Sequence, residues 1–258
     1  MKTKILQALE NIETDEQVKI IYACESGSRA WGFASTDSDY DVRFIYLRPV
    51  NWYLSINLER KRDVIEILID EGLDISGWDL RKALQLFRKS NPPLLEWLGS
   101  PTVYLDKFSI AGRMRALAPS CYSPIACMYH YYKMASGNFR DFLRGDQVWV
   151  KKYFYVLRPV LAVIWLERDL GVVPTPFQEL VDGLIEPGPL KDAVDRLIRK
   201  KRAGQELDRG PRDALISQFL ENEIARMEAE EFEKRVGHCP VDQLDELFRQ
   251  ALEIVWAT

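Results

Sequence analysis

The strongest constraint on the fold is a buried strand, then a turn of small residues, then a second strand that begins at two aspartates. Val18 to Cys24 is a continuous apolar run with β-branched residues, which indicates a strand buried on both faces. Gly27 and Ser28 end that run, and turn-forming residues follow. Asp39 then stands two residues before the apolar stretch Asp41 to Leu47. This order predicts a sheet with polar side chains gathered at one end of its central strands.

The residues at that end suit a phosphate group and divalent cations. Alternate side chains of a strand share a face, so we expect Asp39 and Asp41 on one side, about 7 Å apart along the chain. Carboxylates so placed can hold a pair of Mg²⁺ ions, or Mn²⁺ in their place. Gly27 lets the backbone approach a phosphate, Ser28 adds a hydroxyl, and a short helix over residues 29–33 begins with Arg29. We predict that Gly27, Ser28 and Arg29 contact a nucleotide.

A third carboxylate is expected from a neighbouring strand, to bind metal and to orient or deprotonate an acceptor hydroxyl. Asp74 is the prediction, because its short strand leads directly into a helix. Glu66 is an alternative, since alternation places it between Ile65 and Ile67 on a possible site face. Asp79 is a second alternative, although its position favours a helix-capping role. All three remain open at this level.

The remaining pattern predicts an α+β front half and a helical back half. After Asp41 to Leu47 the predicted elements are strands over 64–69 and 73–75, helices over 78–88 and 93–98, and a last strand over 102–104. From Phe108 onward only helical patterns are evident. We therefore predict a mixed sheet with flanking helices in a catalytic domain over 1–105, and an all-helical substrate-binding domain over 106–258.

Composition excludes several classes of protein. The net charge of −4 argues against a surface coated in basic residues for duplex binding. The longest nearly apolar run, residues 153–166, is too short to cross a bilayer, and the first residues lack a secretory signal core. These features predict a cytoplasmic protein without membrane contact. The four cysteines form no CxxC pair, which predicts buried free thiols rather than disulfides.

Two groups of basic residues interrupt the acidic background. Lys151, Tyr155 and Arg158 follow one helical stripe, and a cationic stripe beside an aromatic ring can meet a triphosphate or a base. The side chain of Lys152 lies about 100° around the helix axis from that of Lys151. Which of the two lysines faces a ligand therefore stays open. We predict that these four residues bind the nucleotide. The second group, 196–202, is interpreted as the solvated end of a helix.

Two segments also resemble a known family. Residues 25–32 (ESGSRAWG) and 38–43 (SDYDVR) are similar to the polymerase-beta superfamily of nucleotidyltransferases, and more closely to its RNA-ligase-associated (YcgL-type) predicted nucleotidyltransferases. Residues 77–82, 89–92 and 151–159 also match that group. The similarity spans most of residues 20–166 and is weaker after Gly171.

The resemblance implies a small mixed sheet followed by a helical domain, and a reaction. That reaction transfers a nucleoside monophosphate from an NTP, with ATP the expected one, to a hydroxyl group and releases pyrophosphate. The motif positions map onto Ser28, Asp39 and Asp41 as residues that bind the triphosphate and magnesium. The family's association with RNA ligases implies an RNA end as acceptor and an RNA ligase as functional partner.

Two other functions stay open from the sequence. The acceptor in the same chemistry can be a protein hydroxyl or a small molecule, which the acidic net charge suits slightly better. The chain can also be a nucleotide-binding regulator without turnover. Retention of the acidic cluster argues against that last function, because unpaired neighbouring carboxylates are costly without a bound cation.

Overall fold

The computed structural model describes residues 1–70, 72–205, 207–230 and 239–257. The chain forms two compact units, each discontinuous in sequence. Unit 1 comprises Met1–Ala30, Asp39–Tyr122 and Gly237–Thr258. Unit 2 comprises Trp31–Ser38 and Ser123–Val236.

Helices and strands cover most of both units. The helices are α1 (Lys2–Asp15), α2 (Gly27–Ala30), α3 (Val50–Tyr53), α4 (Leu80–Arg88), α5 (Pro92–Leu98), α6 (Ile110–Cys121), α7 (Pro124–Phe142), α8 (Lys152–Glu167), α9 (Phe177–Leu184), α10 (Pro189–Arg202), α11 (Ala214–Ala229) and α12 (Val241–Trp256). The strands are β1 (Lys19–Glu25), β2 (Tyr40–Leu47), β3 (Val64–Asp70), β4 (Leu73–Asp79), β5 (Val103–Asp106), β6 (Gln147–Trp149) and β7 (Arg209–Pro211).

Unit 1 is built on a five-stranded mixed sheet in the order β3-β4-β2-β1-β5. The central pair β2 and β4 is parallel, and the other neighbours are antiparallel. Alternation along β2 sends its side chains into two different cores. Val42, Phe44 and Tyr46 pack with α1, whereas Ile45 and Leu47 pack in a core that includes residues of α4, α5, α6 and α12.

The parallel β2–β4 pair depends on a glycine. A Cβ placed at Gly77 would overlap the aromatic ring of Phe44, which lies opposite it in the register of the two strands. Glycine is therefore required where the ring crosses the neighbouring backbone. This fit brings the starts of β2 and β4 side by side, and both starts carry aspartates.

Unit 2 is mainly helical. Helix α8 lies at its centre, with eleven buried residues in 16, including the arginine at 158. Strands β6 and β7 form a separate two-stranded antiparallel sheet. No helix in the described ranges is both long and apolar enough to span a membrane.

The predicted α+β class is confirmed, and two expectations about details are corrected. The back half is not purely helical, because β6 and β7 pair within it. Not all cysteines are free thiols: Cys121 and Cys239 form a disulfide, while Cys24 and Cys127 are free and buried. The two partners are 118 residues apart in sequence, so no local spacing signals the pairing.

The compact units also divide the chain at places other than the predicted boundary near residue 105. Helix α6 and the distant α12 contribute apolar side chains to the same core as α4 and α5, and this packing places both in unit 1. The short helix expected over 29–33 instead occupies Gly27–Ala30. Between the strands predicted over 64–69 and 73–75, residue 71 lies outside the described part of the chain.

Candidate active site

The small-residue turn after β1 lies against the first aspartate of β2. Gly27 has a φ of +56°, a left-handed conformation that glycine adopts without strain. A Cβ at this position would come within 2.8 Å of Cγ of Asp41 and closer still to its Oδ2. The amide of Ser26 also donates to the carbonyl of Asp41 at 2.8 Å. The turn and the carboxylate are therefore in direct contact, with Ser28 half-buried in α2 beside them.

Asp41 and Asp74 lie at matching positions of the parallel pair β2–β4. Nη2 of Arg43 is 3.1 Å from Oδ1 of Asp41 and 2.7 Å from Oδ2 of Asp74. Its Nη1 donates to the carbonyl oxygens of Val42 and Asp74 at 3.0 and 3.3 Å. One guanidinium thus joins the two carboxylates and ties the strands together, which charge-assisted bonds do well.

Asp39 stands just outside β2, which begins at Tyr40. Its side chain is exposed, and its Oδ1 is 3.9 Å from the Cβ position of Gly72, at the turn that precedes β4. Arg29 holds this segment: its Nε donates to the carbonyl of Asp39 at 3.1 Å, and its guanidinium lies 3.7 Å from the centre of the Tyr40 ring. Arg29 and Asp39 are therefore adjacent, through backbone and ring contacts.

Glu25, at the end of β1, is a buried carboxylate next to these aspartates. Only 2% of its surface is exposed. Its Oε1 accepts from the amide of Asp41 at 2.9 Å, and its Oε2 accepts from the hydroxyl of Tyr104. Burial raises the pKa of Glu25 above its usual value, and these two donors oppose that rise. The network fixes the backbone where β2 begins, and so fixes Asp41.

The two alternative acids lie elsewhere on the sheet. Glu66 is on the edge strand β3, exposed and paired with Arg62 at 2.8 Å. Asp79 is 1% exposed and caps α4, because its Oδ1 accepts from the amide of Arg81 at 2.8 Å. The hydroxyl of Tyr53 donates to its other oxygen at 2.6 Å. The capping role expected for Asp79 is confirmed.

The arrangement of Asp41 and Asp74 fits a cation. A single positively charged nitrogen already contacts both carboxylates, and their side chains are 29% and 44% exposed. Hard divalent cations prefer such oxygen ligands. In the described part of the chain, however, no group of three or more acidic, histidine or cysteine side chains is arranged to hold a metal ion. Binding of a metal ion by Asp39, Asp41 and Asp74 together therefore stays a prediction.

The predicted nucleotide contacts of the back half all belong to unit 2. Lys151 is exposed at the start of α8, and Nζ of Lys152 lies 4.2 Å from the Phe142 ring centre and 4.7 Å from that of Tyr155. Arg158 is 2% exposed and donates to the carbonyls at 174 and 175 at 3.2 and 3.3 Å. Its guanidinium also lies 5.1 Å from the Trp31 ring centre. These contacts organise unit 2, and a role in nucleotide binding stays a prediction for all four.

Three residues of the site carried no role in the sequence analysis. Arg43 could have been found by alternation, since it follows Asp41 by two residues and so shares its face. Glu25 is a carboxylate at the end of a buried apolar strand, which signals a required partner. Tyr104 gives no such signal, because its link to Glu25 spans 79 residues.

Comparisons with known proteins agree with the resemblance expected from residues 25–43. The family described as the RNA repair pathway DNA polymerase beta family matches residues 1–250. YcgL, an uncharacterized protein of Bacillus subtilis (strain 168), is 49% identical over 257 residues, which cover 99% of this chain and 98% of that protein.

A solved structure is also similar at low level. The crystal structure of a nucleotidyltransferase-like protein from Exiguobacterium sibiricum 255-15 is 11% identical, with a TM-score of 0.31 over 89% of this chain and 80% of that one. A likeness this weak carries no argument about this chain. The family match extends over nearly all of the sequence, and it confirms the predicted enzyme class, a polymerase-beta-like nucleotidyltransferase. The chain belongs to the RNA repair pathway DNA polymerase beta family.

Proposed function

We propose that this protein transfers a nucleoside monophosphate from an NTP, with ATP the expected substrate, to a hydroxyl at an RNA end and releases pyrophosphate. One observation carries the proposal: Asp41 and Asp74 lie at matching positions of two parallel strands and share one cationic group, and Asp41 also touches the glycine turn. Membership of an RNA repair pathway family supports RNA as the acceptor. A functional association with an RNA ligase and a cytoplasmic location belong to the same proposal.

Asp41 and Asp74 would hold Mg²⁺, with Asp39 as the proposed further ligand and Mn²⁺ as a possible substitute. When bound, Mg²⁺ supplies the positive charge that the triphosphate and the departing pyrophosphate require. The glycine at 27 keeps the space beside Asp41 open, since any larger residue would displace the carboxylate. Glu25 accepts a hydrogen bond from the backbone amide of Asp41. Asp41 is therefore already positioned before Mg²⁺ binds, and no ordering of this residue is needed during binding.

The two aspartates take different parts in the proposed reaction. Asp41 is the less exposed of the pair and lies against the turn, which suits a group that fixes a bound ion. Asp74 is 44% exposed, and its Oδ2 is engaged by Arg43. We assign its Oδ1 to accept the proton of the attacking hydroxyl, a task that needs an accessible carboxylate oriented by a neighbour.

The test is transfer of label from [α-³²P]ATP to an RNA oligonucleotide in the presence of Mg²⁺. Asp41→Asn and Asp74→Asn keep the shape of each side chain and remove its charge. Each is expected to lower the rate on the order of 100-fold or more, because metal-assisted charge stabilisation is worth several kcal/mol. Asp37→Asn is the matched control: this exposed aspartate lies in the preceding turn, and a surface change is expected to alter the rate by about twofold at most.

Each outcome bears on one part of the proposal. Unchanged labelling of RNA by both aspartate variants would contradict the assignment of the site. Label on a protein or a small molecule, with RNA unlabelled, would keep the chemistry and replace the acceptor. Nucleotide binding without pyrophosphate release for any acceptor would indicate a regulator without turnover.

A further inference from the structure

Unit 2 contains a basic cavity that the proposed chemistry does not use. It has a volume of about 300 Å³ and lies among α8, α10, β7 and α11. Its apolar wall includes Tyr153, Leu197 and Ile216, which are 1%, 7% and 1% exposed. The volume is at the lower limit of small-ligand sites, which begin at about 300 Å³.

Three cationic side chains from two separate chain segments line this cavity. Arg196 and Lys200 are one helical turn apart on α10, and Arg212 precedes α11. Arg196 and Lys200 are exposed, and neither forms an ion pair with any side chain in the ranges that the structure describes. Arg212 is 3.0 Å from Glu221, a pair that orients its guanidinium.

The one acidic side chain of the cavity wall is already engaged. Asp213 caps α11, because its Oδ1 accepts from the amides of Leu215 and Ile216 at 3.0 and 3.1 Å. With three cations and one carboxylate in the wall, the cavity carries a net charge of +2. The wall is therefore locally positive in a chain whose net charge is −4, although Glu221, which pairs with Arg212, offsets one of the three cations.

The usual preference of cations for helix C-termini does not account for this pattern. Arg199 and Lys200 both belong to the last turn of α10, yet Lys200 lines the cavity and Arg199 does not. Arg196 lines the cavity from before the last turn. Arg212 belongs to a different segment altogether. The three charges therefore converge on a space, not on a helix end.

We propose that this cavity binds a phosphate group of a single-stranded RNA. Arginine pairs with phosphate through two parallel bonds, lysine adds a point charge, and phosphate contacts dominate nucleic-acid affinity. That the phosphate belongs to RNA rests on the function proposed above. The cavity then binds the strand through its backbone, without reading its sequence.

Binding of a fluorescent ten-nucleotide single-stranded RNA, followed by anisotropy in EDTA without NTP, tests the proposal on the full chain. Arg196→Gln/Lys200→Gln is expected to weaken binding on the order of tenfold per side chain. It should also reduce the magnitude of the slope of log K against log salt by about 0.7, the contribution of one phosphate contact on a single strand. Arg199→Gln/Arg209→Gln removes two exposed charges of unit 2 that do not line the cavity, and should leave most of the affinity.

Two outcomes would overturn the proposal. One is equal loss of RNA affinity in both double variants, which would indicate a general charge effect. The other is loss of ATP binding in Arg196→Gln/Lys200→Gln with RNA binding unchanged, which would assign the cavity to a free nucleotide. Because no metal or NTP is present in the RNA assay, its failure is distinct from failure of nucleotidyl transfer, and melting temperatures show that both variants fold.

Discussion

Replacement of Gly27 by alanine tests the geometry of the candidate site most directly. The new Cβ would lie 2.8 Å from Cγ of Asp41, whereas carbon atoms pack at about 3.5–4.0 Å. The carboxylate must therefore move by about 1 Å. The left-handed backbone at this residue adds about 1–2 kcal/mol of strain once a Cβ is present, which corresponds to a fall in melting temperature of about 2–8 °C.

Gly32→Ala is the matched control, because it repeats the strain without the clash. Gly32 has a φ of +85°, and its Cβ position has no neighbour within 4 Å. We expect Gly32→Ala to lose thermal stability through strain alone, and Gly27→Ala to lose at least as much, because the overlap with Asp41 adds to the strain. Only Gly27→Ala should lower the rate of nucleotidyl transfer, on the order of 100-fold, since a displacement of 1 Å at a catalytic group has that effect.

Mn²⁺ affinity, measured by electron paramagnetic resonance, gives a second readout that requires no acceptor. Displacement of Asp41 is expected to weaken Mn²⁺ binding by about 10–100-fold in Gly27→Ala, with little change in Gly32→Ala. If the two variants bind Mn²⁺ equally and transfer at equal rates, Asp41 does not hold the metal at the glycine turn and the proposed site is refuted.

Two further predictions concern stability, and a third concerns the disulfide. Burial raises the pKa of Asp79 to about 6. The stability that its neutral form contributes is complete only below its unfolded pKa, about 4, and is lost as pH rises through 6. Relative to Asp79→Asn, denaturant unfolding should show wild type losing about 2 kcal/mol between pH 4 and 7. Gly77→Ala should destabilise the chain by about 1–3 kcal/mol through overlap with the Phe44 ring, and equal stability of the variant would contradict that packing. Alkylation in denaturant should label two cysteines before reduction and four after it, because Cys121 and Cys239 are paired; four labels before reduction would exclude the disulfide.

Local sequence signals predicted the front sheet well. β1 and β2 could be located because a long apolar run and an Asp-led strand leave few alternatives. Asp74 was chosen from strand order, and the register of β2 and β4 places it opposite Asp41. Its role as a metal ligand stays a prediction.

Contacts between distant segments could not be predicted. Strands β6 and β7 have three residues each, too few to show a period of two. The buried residues of α12 recur at helical spacing, but nothing in that spacing tells that the helix packs in the core with α4 and α6. Tyr104 and Glu25 meet across 79 residues, a separation at which single-sequence patterns carry no information.

The discontinuity of unit 1 bears on how the protein is made. The chain leaves unit 1 after Tyr122 and returns with the segment that contains α12, so this helix is synthesised about 120 residues later. At 5–20 residues per second the ribosome needs roughly 6–24 s for that interval. During that interval, the apolar side chains of α4 and α6 that α12 later covers are exposed to solvent, and chaperones can bind them. Because Cys121 and Cys239 lie at the exit and the return, the two residues meet only after the segment that contains α12 has joined unit 1.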